Sequence, residues 1–168
     1  MNRRIFLASL AAAAATPAFA QGKNPERLRV ALLPDENAST LIQNAQPLKD
    51  HLARALRREI EIVVTTDYSS MIEAMRFGRI EVAYFGPFSY VLAKSRAPGI
   101  EPFAVGVERG APFYNAILVA NAAGPVKRLA DVKGQAFAFG DQASTSSHLA
   151  PRAHILKQTG LEGGKDYK

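Results

Sequence analysis

No cysteine and no tryptophan occur in this chain of 168 residues. The missing cysteine excludes a disulfide framework, a thiolate zinc site and a cysteine nucleophile together. Long apolar runs are also scarce. After the first twenty residues none is long enough to span a bilayer as a helix. Several catalytic signatures are missing as well: there is no GxSxG elbow, no GxxxxGK[ST] phosphate loop and no HExxH pair. His51, His148 and His154 do not fall at paired ligand spacing, so all three are expected on the surface and no metal site is expected. No two carboxylates form a recognisable acid/base couple, so no catalytic residue is assigned and no cofactor is implied.

What remains is an ordinary globular composition, 48% apolar and 21% charged. The 21 Lys and Arg against 15 Asp and Glu give +6. Arg54, Arg57 and Arg58 cluster on one helix, but no aromatic residues interleave with them as a nucleic-acid surface would prefer. A solvated helix face is expected there, with no nucleic-acid partner.

Met1 to Ala20 has the make of an export signal. Arg3 and Arg4 precede the apolar run Ile5 to Ala15, and Ala18-Phe19-Ala20 supplies small residues at −3 and −1. Cleavage is expected after Ala20. Arg3-Arg4-Ile5-Phe6-Leu7 also resembles the twin-arginine motif, so Sec and twin-arginine export both remain open. Removing the segment leaves 148 residues and a charge of +4. The mature protein is expected to be soluble and periplasmic, with no lipid anchor because no cysteine follows the cleavage site.

Downstream, hydrophobic periodicity predicts strand Leu28–Leu33 and, after the loop 34–37, a helix that begins near Pro47. Its apolar face is Leu48, Leu52, Ala55 and Leu56. A second strand follows over Glu59–Thr65. Asp67 opens a helix that stops at Gly78. Ile80–Tyr84 is a third strand, and Gly86-Pro87 starts a helix through Lys94. This alternation predicts a parallel α/β layer. The pattern breaks at Pro98–Pro102, and a lobe crossover is placed near residues 98–112. Beyond it, strands are expected at Phe103–Val107, Tyr114–Ala120 and Gln135–Phe139, with a short helix from Leu129 and a long one over Ser146–Thr159.

The strongest chemical signal is Gly140-Asp141-Gln142-Ala143-Ser144-Thr145-Ser146-Ser147-His148. A strand ends there and consecutive hydroxyls meet the start of a helix, whose first N–H groups lack internal partners and carry positive potential. Such a turn suits a small oxyanion. Plain N-capping by one serine, worth about 1 kcal/mol, is the simpler alternative, although four hydroxyls in succession exceed it. Pro151 fits a first turn better than an interior, so the regular helix is expected to start after the hydroxyls. Asp67-Tyr68-Ser69-Ser70 is a similar helix start, with the Tyr68 phenol beside free backbone N–H groups. Gly86-Pro87-Phe88 is taken as a structural turn.

These segments together resemble one family. Asp67–Ser69 through Gly78, Val82-Ala83-Tyr84-Phe85-Gly86-Pro87-Phe88-Ser89-Tyr90, Gly110-Ala111-Pro112-Phe113-Tyr114 and Gly140 to Pro151 are similar, in order, to the periplasmic substrate-binding proteins of ABC importers for phosphonate, phosphite and phosphate. The resemblance implies a type II periplasmic-binding-protein fold of two α/β lobes with mainly parallel sheets. The lobes are expected at residues 21–100 and 101–168, the second incomplete because the chain stops partway through it. It implies a monomeric receptor, without a cofactor, that captures a phosphorus oxyanion in the cleft and delivers it to an inner-membrane permease. Carried over, the ligand-binding residues are Tyr68, Tyr114, Ser144, Thr145 and Ser146. Tyr68 would come from the first lobe and the Ser-Thr-Ser turn from the second. Ser147 replaces the glycine common in the family, and the family's further histidine and acidic ligand residues would lie beyond Lys168. A receptor of the same fold that serves a membrane sensor, or an importer receptor for another small anion, is the alternative.

Overall fold

Strand β1 (Arg27–Leu32) is the middle of the sheet, and its sequence explains why. Val30 and Ala31 are adjacent and both buried, so both faces of the strand are covered. That is the condition of an interior parallel strand. In the computed structural model, which describes residues 24–107 and 109–168, β2 (Glu59–Val64) and β3 (Val82–Ala83) flank it in parallel, in the order β2-β1-β3. Val30 pairs with Ile62 on one side and Val82 on the other. Ladder bonds Glu81 N to Arg29 O (3.2 Å) and Tyr84 N to Ala31 O (2.9 Å) extend the β3 pairing over most of the predicted third strand. The export signal proposed for residues 1–20 lies outside the described residues.

Helices α1 (Ala38–Asn44), α2 (Gln46–Leu56), α3 (Tyr68–Arg76) and α4 (Pro87–Arg96) accompany the sheet. Helix α1 was not expected. Asn37 caps it by accepting from Ser39 N at 2.9 Å, so the loop assigned to 34–37 passes straight into a short helix that buries no residue. On α2 the expected apolar face is only partly used. Leu52 is half-buried, whereas Leu48, Ala55 and Leu56 are exposed. Helix α3 buries Tyr68, Met71 and Ile72, the i, i+3, i+4 spacing of one face. With Ala31, Leu33, Ile80, Ala93 and Ala143 they form the larger hydrophobic cluster.

The second half departs from the reading of the sequence. Phe103–Val107, Tyr114–Ala120 and Gln135–Phe139 run without a regular strand ladder among the described residues. Residues 101–107 and 112–120 are exposed throughout, Phe103, Val105, Val107, Ile117 and Val119 among them. An extended segment becomes a strand only where a neighbour supplies the other half of the ladder. Gln135–Phe137 has begun such pairing. Lys168 N donates to Gln135 O at 3.0 Å and Phe137 N to Lys168 O at 2.6 Å, a parallel pattern. A 3₁₀ turn at Leu129–Val132 replaces the expected short helix. A π-helical turn, Thr145–Leu149, then leads into α5 (Ala150–Thr159), with Pro151 in its first turn. The regular helix does start after the hydroxyls. Val132, Ile155 and Tyr167 form a smaller second cluster, packed by Phe137 and Phe139.

One ion pair ties the layer together. The Arg29 guanidinium binds Glu81 through its terminal nitrogen and through Nε (3.1 Å), and also donates to Gly78 O at 3.2 Å. Arg29 N donates to the same carboxylate at 2.8 Å. Arg29 lies on β1, Gly78 follows α3 and Glu81 precedes β3, so three elements meet at one largely shielded pair. The hydrogen bonds from Arg29 hold the Glu81 carboxyl below the usual range. This contribution is complete above the unfolded-state value of about 4.3 and is lost as pH falls through the lower folded value. Glu81→Gln is expected to cost about 1–2 kcal/mol at neutral pH and to flatten the acid limb of stability. Thermal melts followed by circular dichroism from neutral to acid pH check both.

Candidate functional site

Three helix starts carry the polar groups singled out in the sequence, and two of them are bonded to the third. At α3 the N-cap is Asp67, whose carboxylate accepts from Ser70 N at 2.6 Å. That bond, together with the Ser70 hydroxyl, lowers the Asp67 pKa. Tyr68 is the first helical residue. Its N–H, which has no acceptor within the helix, donates to Asp141 Oδ2 at 3.2 Å. The backbone donors expected to be free here are therefore occupied by two carboxylates.

At α4 the cap is Gly86 in an extended conformation, followed by Pro87. Phe88 N donates to Thr145 Oγ1 at 2.8 Å. The segment read as a structural turn is thus bonded to the hydroxyl turn, and Ser89, fully buried, fastens it by donating to Gly86 O at 3.0 Å.

The third start is the π-helical turn. Ser144 caps it by accepting from Ser147 N at 3.3 Å, and Leu149 N reaches back to Ser144 O at 3.0 Å. In an α-helix Ser147 O would accept from residue 151, and Pro151 has no N–H. Gly140 N fills the vacancy, donating to Ser147 O at 2.9 Å. Among the described residues the N–H groups of Thr145 and Ser146 donate to no protein acceptor. The Thr145 hydroxyl accepts from Phe88 N and keeps its own proton to donate.

Of the five residues carried over, Tyr68 and Ser144 are buried at 9% and 5% exposure. Thr145 and Ser146 are half-buried and Tyr114 is 51% exposed. Burial pushes the Tyr68 phenol up. A hydrogen bond with the Ser144 hydroxyl opposes this, while Asp35, Asp141 and Tyr114 add to it. The Tyr68 N–H bond to Asp141 brings Tyr68 to the turn that carries Ser144, and the phenol stays a neutral donor. Sequence reasoning missed the part played by Asp141, although Asp in a tight turn is the known signal for it. Its Oδ1 accepts from Ala143 N at 2.8 Å, two residues on. His148 is not a plain surface residue. It is half-buried, its ring lies 5.1 Å from that of Phe139, and Nδ1 is 3.3 Å from Gly140 O. His51 and His154 are exposed as expected.

The arrangement offers neutral hydroxyl and amide donors clustered at helix starts, the chemistry of an anion-binding cradle. No helix of the described residues is long and apolar enough to cross a membrane, and they contain no group of three or more His, Asp or Glu that could hold a metal.

Solved structures define the class first. The binding-protein component of an ABC phosphonate transporter from Pseudomonas aeruginosa matches with a TM-score of 0.76 at 24% identity, over 84% of this chain and 48% of that one. PhnD1 from Prochlorococcus marinus, solved in complex with methylphosphonate, matches with a TM-score of 0.63 at 22% identity, over 86% and 54%. The fold is that of the periplasmic binding proteins. Sequence is more specific. Residues 30–168 match the family described as ABC transporter, phosphonate, periplasmic substrate-binding protein. The phosphate-import protein PhnD of Mycolicibacterium smegmatis is 32% identical over 145 residues, 84% of this chain and 45% of that protein. The chain belongs to this family of substrate-binding transport proteins, which are not enzymes. It spans about half the length of the curated relatives it matches.

The turn geometry yields a prediction of its own. A Cβ on Gly140 would overlap the Ser147 hydroxyl and come within 2.7 Å of Ser147 Cβ. Gly140→Ala is therefore expected to distort the hydroxyl turn and destabilise the chain by about 1–3 kcal/mol. Adding Ser147→Gly should restore most of the loss in a thermal melt.

Proposed function

We propose that the protein is the periplasmic solute-binding component of an ABC importer, exported by its first twenty residues with cleavage after Ala20. In this reading residues 21–100 and 101–168 belong to two lobes, and a phosphorus oxyanion (phosphonate, phosphite or phosphate) is held between them. The inner-membrane permease receives it. Tyr68 binds the anion from the first lobe, and Tyr114, Ser144, Thr145 and Ser146 bind it from the second.

The observation that carries this reading is the bonding of the hydroxyl turn to two helix starts, with the Thr145 hydroxyl proton and the Thr145 and Ser146 N–H groups left to donate. A tetrahedral anion has several acceptor oxygens, and neutral donors hold it without a buried countercharge. Each hydrogen bond to a charged group contributes about 1.5–3 kcal/mol. Three or four reach the roughly −8 kcal/mol of micromolar binding once ordering costs are subtracted. The names of the relatives agree with this chemistry, one being a phosphate-import protein and another a structure holding methylphosphonate.

Isothermal titration of the full chain with phosphite, phosphate and methylphosphonate tests it. Saturable heat with at least one is expected, and a folded chain that gives no heat with any would sink the reading. Thr145→Ala is expected to weaken binding about tenfold, the worth of one such bond, with a melting temperature within a few degrees of wild type. Wild-type affinity in that variant would remove Thr145 from the site.

A further inference from the structure

We infer that Asp141 is the positioning residue of this site: its carboxylate latches the hydroxyl turn onto the start of α3 and so sets Ser144 against Tyr68. The inference rests on the receptor reading above and adds a residue to it. Helix α3 already has a complete N-cap in Asp67, whose carboxylate takes Ser70 N. A second carboxylate is not needed to make the helix, yet Asp141 arrives from 73 positions away to take Tyr68 N. Its other oxygen accepts from Ala143 N at 2.8 Å, and its carbonyl accepts from Ser144 N at 2.9 Å. These bonds make the Gly140–Ser144 turn rigid. Ala143, 4% exposed, is embedded in the same cluster as Tyr68, Met71 and Ile72. The carboxylate, the buried methyl and the Thr145 contact with Phe88 N all bind this turn to α3 and α4. Of the three, only Asp141 places a full negative charge on a helix N-terminus, where it is most strongly favoured.

Amide hydrogen exchange on the full chain tests the latch directly. In Asp141→Ala the Tyr68 and Phe88 amides are expected to exchange about tenfold faster, the loss of one charge-assisted bond, while Val30 and Ala31 in β1 keep their rates. Methylphosphonate should dissociate from this variant about tenfold faster with its association rate unchanged. Asp141→Asn keeps the shape and one acceptor and should restore part of both effects. Unchanged rates at Tyr68 and Phe88, or an equal rise at Val30 and Ala31, would overturn the latch. Should the alanine variant not fold, Asp141→Asn is read alone, and wild-type exchange at Tyr68 overturns it. A wild-type chain that binds no phosphorus oxyanion would count against the receptor reading, and the exchange comparison would still decide the latch.

Discussion

Everything at the candidate site depends on how one short turn, Gly140 to His148, is fastened to the first half of the chain. Its hydroxyls can act together only because Thr145 Oγ1 is fixed by Phe88 N and Asp141 by Tyr68 N. The sheet makes this possible. Helices α3 and α4 follow β2 and β3, and their first residues lie at the carboxyl ends of those parallel strands. Open α/β sheets bind ligands at that edge. The Arg29–Glu81 pair locks β1 to the segment between α3 and β3, so the two helix starts share one rigid base.

The electrostatics of the site are uneven. At α3 the positive end of the helix is already answered by Asp67 and Asp141. At the π-helical turn the opposite holds, since its first amides have no protein acceptor among the described residues. An anion therefore gains most from the turn, while the carboxylates beside Tyr68 discourage excess negative charge. On the proposed reading, neutral donors on one side and fixed carboxylates on the other make the site respond to a ligand's charge as well as its shape.

Much of this was legible in the residues, and what was not has physical reasons. β1, β2, α3 and α4 follow from local periodicity and capping, and they fold as expected because each finds its partner nearby. Phe103–Val107 and Tyr114–Ala120 carry equally clear β patterns but form no ladder here, because a strand is a property of two segments and periodicity reports only one. Helix α1 was invisible because seven residues that bury nothing leave no amphipathic stripe. Tyr68, Ser144 and Thr145 were singled out through the hydroxyl run and the family resemblance. Asp141's turn bond to Ala143 N had a local signal that was passed over, whereas its bond across 73 positions and the part of Phe88 N leave no mark in composition or spacing. Pro151 was the exception: one missing N–H foretold that the regular helix begins late.

Backbone ¹⁵N chemical shifts during titration of the full chain with phosphite test most directly whether the hydroxyl turn holds the anion. The amides of Thr145 and Ser146 are predicted to move most and together, while Tyr68 and Ser70, already bonded to carboxylates, move little. Shifts led by Tyr68 and Ser70, with Thr145 and Ser146 unmoved, would contradict this assignment of the site.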